Sequence, residues 1–372
     1  MPVILYLLYG QDKRYQRQMV FSVLTALRLL GKHRQLCRIA VMTDHPESAA
    51  GLPVDILPLT EDEIVAGSTL PGTTIRFRHR MKPVALGRAL KHYNAPVILI
   101  DTDTSFLADP LSLFARITPK ASLLHCLEYA IGTNAQLPVT DAIGEGLQIG
   151  PLWVTPHSKM FNSGVVGVHP DKLPVIDTIL EMTDRLHELA PHFTSEQLAT
   201  SLVLQASGSV NTCEETIDHY WTYRRMYSQL KIDRFLAKHP LTTPDAVEAA
   251  IQATAQVKLT FPRKSVRDQV RAKVLGKVRR WSGSHQYAYL LYRTALYYGR
   301  KDPEMGSLWA RSALSLSRDI IKPLLEDKSK RDIELTRIAG NLHFLAPGHI
   351  ERLAWLQPDV RSAWQDFWKR GV

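Results

Sequence analysis

The chain has 372 residues, 45% of them hydrophobic, more than one domain usually holds and enough for a substantial core, which excludes wholesale disorder. Its formal charge of +10 points to anionic partners and says nothing about fold. Three scattered cysteines, Cys37, Cys126 and Cys213, show no metal-binding or redox spacing, and their odd number argues against a disulfide framework, so a reducing compartment is expected.

The opening MPVILYLLYG is apolar but too short to span a bilayer, and it lacks the basic start and small-residue cleavage site of a signal peptide. It reads as a first buried strand, Val3–Leu8. RQMVFSVLTALRLL follows with helical spacing, Val20, Val23, Leu24, Leu27 and Leu30 sharing a face, and Gly31 stops it. CRIAVMTD and VDILPL are the next strands, KPVALGRALKHY is a helix begun by Pro83, and VILID (97–101) is a fourth strand. This alternation predicts an α/β fold with a largely parallel sheet, whose ligands sit at the carboxyl ends of the strands. Asp44 and Asp101 lie at such ends, with Asp103 two residues on, facing the same side along extended backbone. SLLHCLEY (122–129) and MFNSGVVGVHP (160–170) read as further strands, separated by a Gly-, Pro- and Thr-rich loop. KLPVIDTILEMTDRLHEL and TSEQLATSLVLQ are amphipathic helices, the second capped by Thr194 or Ser195.

After about residue 235 strand-like runs vanish, which divides the chain into a catalytic 1–235 and a basic, mainly helical 236–372. Segment 221–285 carries fourteen basic residues against four acidic ones, an excess equal to that of the whole chain. YAYLLYRTALYY and SLWARSALSLS are expected to pair as a helical hairpin. SVRDQVRAKVLGKVRRW sets Val266, Val270, Val274 and Val278 four apart among basic residues. Two roles fit: 265–281 as a helix lying on an anionic membrane, or a helix packing its valine stripe on the catalytic domain with a solvated basic face. No nucleic-acid recognition motif is present, so no nucleic-acid partner is expected.

Two carboxylates ending an apolar strand suit Mg²⁺ or Mn²⁺, whose remaining positions phosphates complete, and such an ion is a Lewis acid toward a departing nucleoside diphosphate. Asp-x-Asp alone is weak; it also occurs as two solvated loop aspartates.

VILIDTDTSFLADPLSLF resembles the core of nucleotide-sugar glycosyltransferases of the GT-A fold. In order around it, RHRMKPVALGRAL resembles their basic helix, MFNSGVVGVHP their F-N-[SA]-G strand, TSEQLATSLVLQ their Asp/Glu-Gln helix, and IDHYWTYRR a closing segment with the third metal-ligating histidine. The likeness covers about residues 1–230 and is greatest to glycogenin-like and related bacterial retaining enzymes. It implies Mn²⁺ (or Mg²⁺) held by Asp101, Asp103 and His219, with Asp101 also touching the ribose. It implies Lys82 and Arg225 at the diphosphate, Asn162, Ser163 and Gly164 at the sugar, and Glu196 and Gln197 near the reacting carbon. Tyr6, Tyr9, Gly10 and Tyr15 would form the base and ribose site. The donor would be a nucleotide-diphosphate sugar, with UDP-sugar first in line, and the acceptor a glycan or lipid-linked hydroxyl in cell-envelope polysaccharide synthesis. The enzyme would then be cytoplasmic, peripheral at the inner face of the membrane. Two departures stand out: Glu196 replaces the Asp of many relatives, and HYWTYRR lacks the Gly and Lys of the glycogenin group.

Each residue also has a plainer reading. His219 is then a buried histidine beside Tyr220 and Trp221, Lys82 a surface lysine, Glu196 a helix N-terminal acid, and the tyrosines core. Retention needs no dedicated base, whereas inversion needs a carboxylate such as Glu128 or Glu196. Two other functions compete: a haloacid-dehalogenase-type phosphatase, whose Asp-x-Asp normally opens its domain, and a non-catalytic transferase-like scaffold.

Overall fold

The computed structural model describes residues 1–134, 137–221, 223–260, 265–326, 342 and 346–369. Two compact units divide the chain: Met1–Trp221 with Lys231–Lys258, and Thr222–Leu230 with Leu259–Val372.

The first unit begins β1 Val3–Leu8, α1 Lys13–Leu30, β2 Arg38–Thr43, β3 Asp55–Pro58, α2 Glu61–Ser68, α3 Met81–Tyr93 and β4 Val97–Ile100. It continues β5 Thr104–Phe106, α4 Leu111–Phe114, β6 Ala121–Leu124, β7 Leu127–Ala130 and α5 Val139–Ile143. The strands β8 Leu147–Ile149, β9 Leu152–Val154, β10 Lys159–Phe161 and β11 Val165–Val168 follow, then α6 Val175–Leu189, α7 Ser195–Ala206, β12 Ser209–Asn211 and β13 Ile217–His219. Seven strands form one sheet in the order β12-β6-β11-β4-β1-β2-β3. β11 runs antiparallel to both of its neighbours and every other pairing is parallel, so the sheet is mixed but mainly parallel, as the alternation predicts.

Local chemistry sets the elements. All of β4 is buried, and Val3 and Leu5 of β1 and Val97 and Leu99 of β4 join Met81, Ala85, Leu86, Ala89 and Leu90 of α3 and Ile176, Ile179, Met182 and Leu186 of α6 in one core. Asp12 accepts from Arg14 N–H to cap α1. Pro83 lies within the first turn of α3, where a backbone N–H has no intrahelical partner to lose, and α3 ends at Asn94 in left-handed geometry.

Two expected strands differ from expectation in the same way. SLLHCLEY is broken into β6 and β7 at His125–Cys126, and MFNSGVVGV into β10 and β11 at Asn162–Gly164. The breaks face each other: His125 N–H donates to Asn162 O (3.1 Å) and Asn162 N–H to Cys126 O (2.8 Å). Backbone bonding continues across the gap while the chain bends, releasing the Asn162 side chain from the sheet's alternation.

The second unit is helical among its described residues. It holds the start of α8 Tyr223–Lys238, then α10 Val266–Arg279, α11 Gly283–Gly299, α12 Pro303–Glu326, α13 Pro347–Ile350 and α14 Pro358–Lys369, while α9 Pro244–Ala253 packs on α1 in the first unit. α11 and α12 pack together as the hairpin reading expects, around Trp309, Leu291, Ala295 and Trp364. α10 buries Ala272 and Gly276. Its valine stripe does not pack inward: Val266, Val270, Val274 and Val278 are 75, 56, 54 and 76% exposed. The small residues, not the valines, allow α10 to approach α11 closely.

Candidate active site

The candidate site lies in the first unit, where β4 ends. Asp101 follows the last residue of β4, and its N–H donates to Gly164 O at 2.8 Å. The chain bends through Thr102 and Asp103 into β5. A buried polar chain pins this bend from below: Thr104 Oγ1 donates to Asp101 O (2.8 Å) and meets Ser22 Oγ (2.9 Å), which meets Tyr6 Oη (2.8 Å). Burial pushes the Tyr6 phenol far up despite the Ser22 contact. Tyr6 is fully buried, so its place is this core chain, one of the two alternatives its sequence position allowed.

His219 arrives from 115 residues downstream. β13 pairs antiparallel with β5, matching His219 to Thr104 and Ile217 to Phe106, and Tyr220 N–H donates to Asp103 O at 3.1 Å. The pairing delivers the imidazole to the carboxylates: His219 Nε2 lies 3.2 Å from Asp103 Oδ1 and 3.9 Å from Asp101 Oδ2. One ligand atom from each of Asp101, Asp103 and His219 falls within 4.8 Å of the others. His125 backs the ring edge-on at 5.4 Å, its own Nε2 bonded to Ile217 O. Gly164 makes the approach possible: a Cβ there would lie 2.3 Å from His219 Nδ1 and Cε1.

Lys82, on the first turn of α3, reaches the same place. Its Nζ is 2.7 Å from Asp101 Oδ1 and 2.8 Å from Oδ2. Burial alone would lower the Lys82 ammonium, but Asp101, Glu196 and Asp103 reverse this and hold it well above its ordinary value. Glu196, fully enclosed on α7, accepts from Ser163 Oγ (3.1 Å) and Thr200 Oγ1 (3.0 Å). Desolvation raises its carboxyl, partly offset by Lys82 and reinforced by Asp101, with the two hydroxyls acting to lower it. Gln197 donates to Glu128 Oε2 (2.8 Å), and Asn162 donates to Glu128 Oε1 (2.8 Å).

At the carboxyl ends of β1 and β2, Gly10 takes a left-handed φ of +82°, and its N–H donates to both oxygens of Asp44 at 3.1 Å. Tyr9 Oη donates to Arg78 O at 2.9 Å, and burial raises its phenol to about 12. Tyr15 lies early in α1, 38% exposed. Asp101, Asp103, His219, Lys82, Asn162 and Gly164 are thus linked by direct contacts, Ser163 is bonded to Glu196, and Gln197 joins through Glu128, while Tyr9 and Gly10 stand on the neighbouring loop. Arg225 lies on the part of α8 that belongs to the second unit.

The residues that sequence reasoning missed are Ser22 and Thr104, which brace the bend. Glu128, weighed there only as a base, is instead the shared acceptor of two amides. Nothing local marks these roles, since Ser22 and Thr104 meet across distant elements and Glu128 takes its amides from Asn162 and Gln197.

The donor set fits a divalent cation. Two carboxylates and an imidazole nitrogen are ligands that Mn²⁺ accepts readily and Mg²⁺ accepts through oxygen.

No protein-family profile matches this chain, and no curated protein matches it. Among solved structures, the fold is similar to the crystal structure of mouse xyloside xylosyltransferase 1 in its apo form. The likeness has a TM-score of 0.39 at 11% sequence identity, covering 57% of this chain and 85% of that one. Among the described residues no helix is long and apolar enough to cross a membrane.

Proposed function

We propose that this chain is a metal-dependent glycosyltransferase of the GT-A kind, moving a hexose from a nucleoside-diphosphate sugar to a hydroxyl acceptor. The observation that carries the reading is the convergence of Asp101, Asp103 and His219 beside Lys82 at the end of β4. UDP-sugar is the donor of choice, and the acceptor is a glycan or lipid-linked glycan of cell-envelope polysaccharide synthesis. The enzyme works in the cytoplasm at the inner face of the membrane, which α10 meets through its exposed valines and the flanking Arg267, Arg271, Lys273 and Lys277.

A divalent ion held by Asp101, Asp103 and His219 supplies Lewis-acid stabilisation of the departing diphosphate. Lys82, a compact cation held against Asp101, is placed to add positive charge on the same side. Retention is favoured over inversion, because neither candidate base presents an unengaged oxygen. Both oxygens of Glu196 accept from hydroxyls and both of Glu128 accept from amides. Burial also raises the Glu196 carboxyl, with Lys82 opposing it.

The test is calorimetric binding of UDP, GDP and CMP, each with and without Mn²⁺, to wild type and Asp103→Ala. Mn²⁺-dependent binding of one nucleotide, lost in the variant, supports the reading. Binding of none overturns it, and phosphate release without a nucleotide sugar would then identify the phosphatase.

A further inference from the structure

Asn162 has three neighbours that together leave its amide one orientation. Gly164 N–H, a donor only, points at Oδ1 at 2.9 Å, and the Glu128 carboxylate, an acceptor when ionised, lies 2.8 Å from Nδ2. Flipping the amide would set donor against donor on one side and acceptor against acceptor on the other. Oδ1 therefore faces Gly164, and it is this same oxygen that lies 2.9 Å from His219 Nδ1. An acceptor at that distance requires a proton on Nδ1. With Nδ1 committed to Asn162, Nε2, the nitrogen that faces Asp103 and Asp101, is the one left to exchange a proton for a metal ion.

We propose that Asn162 and Glu128 are positioning residues that set the tautomer and ring orientation of His219, and through it the affinity for the divalent ion. The inference rests on the metal site proposed above. It gives the Asn162 side chain, 3% exposed, a role other than contact with sugar hydroxyls. It also gives Glu128 a reason to bind Gln197: the second amide, 2.8 Å from Oε2, holds the carboxylate in line for Asn162. A partner on the non-ligating nitrogen of a metal-binding histidine typically changes metal affinity ~10–100-fold.

Two measurements test this. In metal-free wild type with ¹⁵N-labelled histidine, the His219 ring, assigned by its loss in His219→Gln, is expected to carry a proton on Nδ1. An unprotonated Nδ1 overturns the proposal without any Asn162 variant having to fold. Mn²⁺ affinity, read from the electron paramagnetic resonance of free Mn²⁺, is expected to fall ~10–100-fold in Asn162→Leu. The paired Asn162→Asp, Glu128→Gln variant exchanges the two side-chain types while preserving each hydrogen bond and the net charge, and should restore wild-type affinity. In a His219→Ala background Asn162→Leu should have no further effect. An Asn162→Leu protein that binds Mn²⁺ as tightly as wild type, a paired variant that stays weak, or an undiminished loss in the His219→Ala background overturns the role of Asn162 alone. A wild type that binds no Mn²⁺ overturns the metal reading and this inference with it.

Discussion

Charge is handled in opposite ways at the bend after β4 and along α10. At the bend, Asp101, Asp103, Glu196 and Glu128 are each engaged by Lys82, His219, hydroxyls or amides within about one hydrogen-bond length. Along α10, Asp268 is paired with Arg293, and the outward face carries basic residues and valines exposed by half or more. Buried charges need specific partners, so they dictate geometry; exposed charges of one sign dictate only an attraction, screened by salt. The first arrangement can place a ligand to a fraction of an ångström. The second can hold a surface of opposite charge without specifying one orientation.

Four variants probe that contrast. The largest effect is expected from Asp103→Ala, which should abolish Mn²⁺-dependent nucleotide binding while circular dichroism shows the fold retained; unchanged affinity would remove Asp103 from the ligand set. Next, Arg271→Gln with Lys277→Gln should weaken binding to phosphatidylserine-containing vesicles by about 2 kcal/mol, roughly 30-fold, and should not change nucleotide binding. If both proteins ignore vesicles equally in sedimentation, the α10 face has another purpose. Gly164→Ala forces the His219 ring to move and should cost ~10-fold in Mn²⁺ affinity, checked by the same resonance assay.

The smallest effect concerns Glu196. Its carboxyl is held above the ordinary value, so the folded protein binds that proton more tightly than the unfolded chain does. The associated stability is complete below the unfolded carboxyl's range and is lost as pH rises through the folded value. Glu196→Gln cannot ionise, so its melting temperature relative to wild type should be higher at pH 8 than at pH 4. A difference independent of pH would show that Glu196 titrates normally.

The legible parts of the site were those whose signal is local. An apolar run ending in Asp-x-Asp announces a buried strand and two carboxylates at its end, because four consecutive buried positions and two polar ones need no distant partner to be recognised. The unbroken strands read from SLLHCLEY and MFNSGVVGV were wrong in one respect for the converse reason. His125–Cys126 and Asn162–Gly164 leave the sheet only because each break supplies the other's backbone partners. The valines of α10 mislead similarly, since spacing alone does not say whether Ala272 and Gly276 or the valines face the neighbouring helix.

The amino-acid order by itself determined the α/β alternation, the mainly parallel sheet, the helical and basic later part, and the carboxylates at the end of β4. Those features follow from periodicity and composition, which act between near neighbours. Tertiary structure alone decided that His219 would reach Asp103, that Lys82 would bond Asp101 from α3, and that Asn162 would turn its oxygen to the imidazole. Each of these contacts joins residues far apart in the chain, and each depends on a strand pairing or helix packing whose register no local pattern encodes.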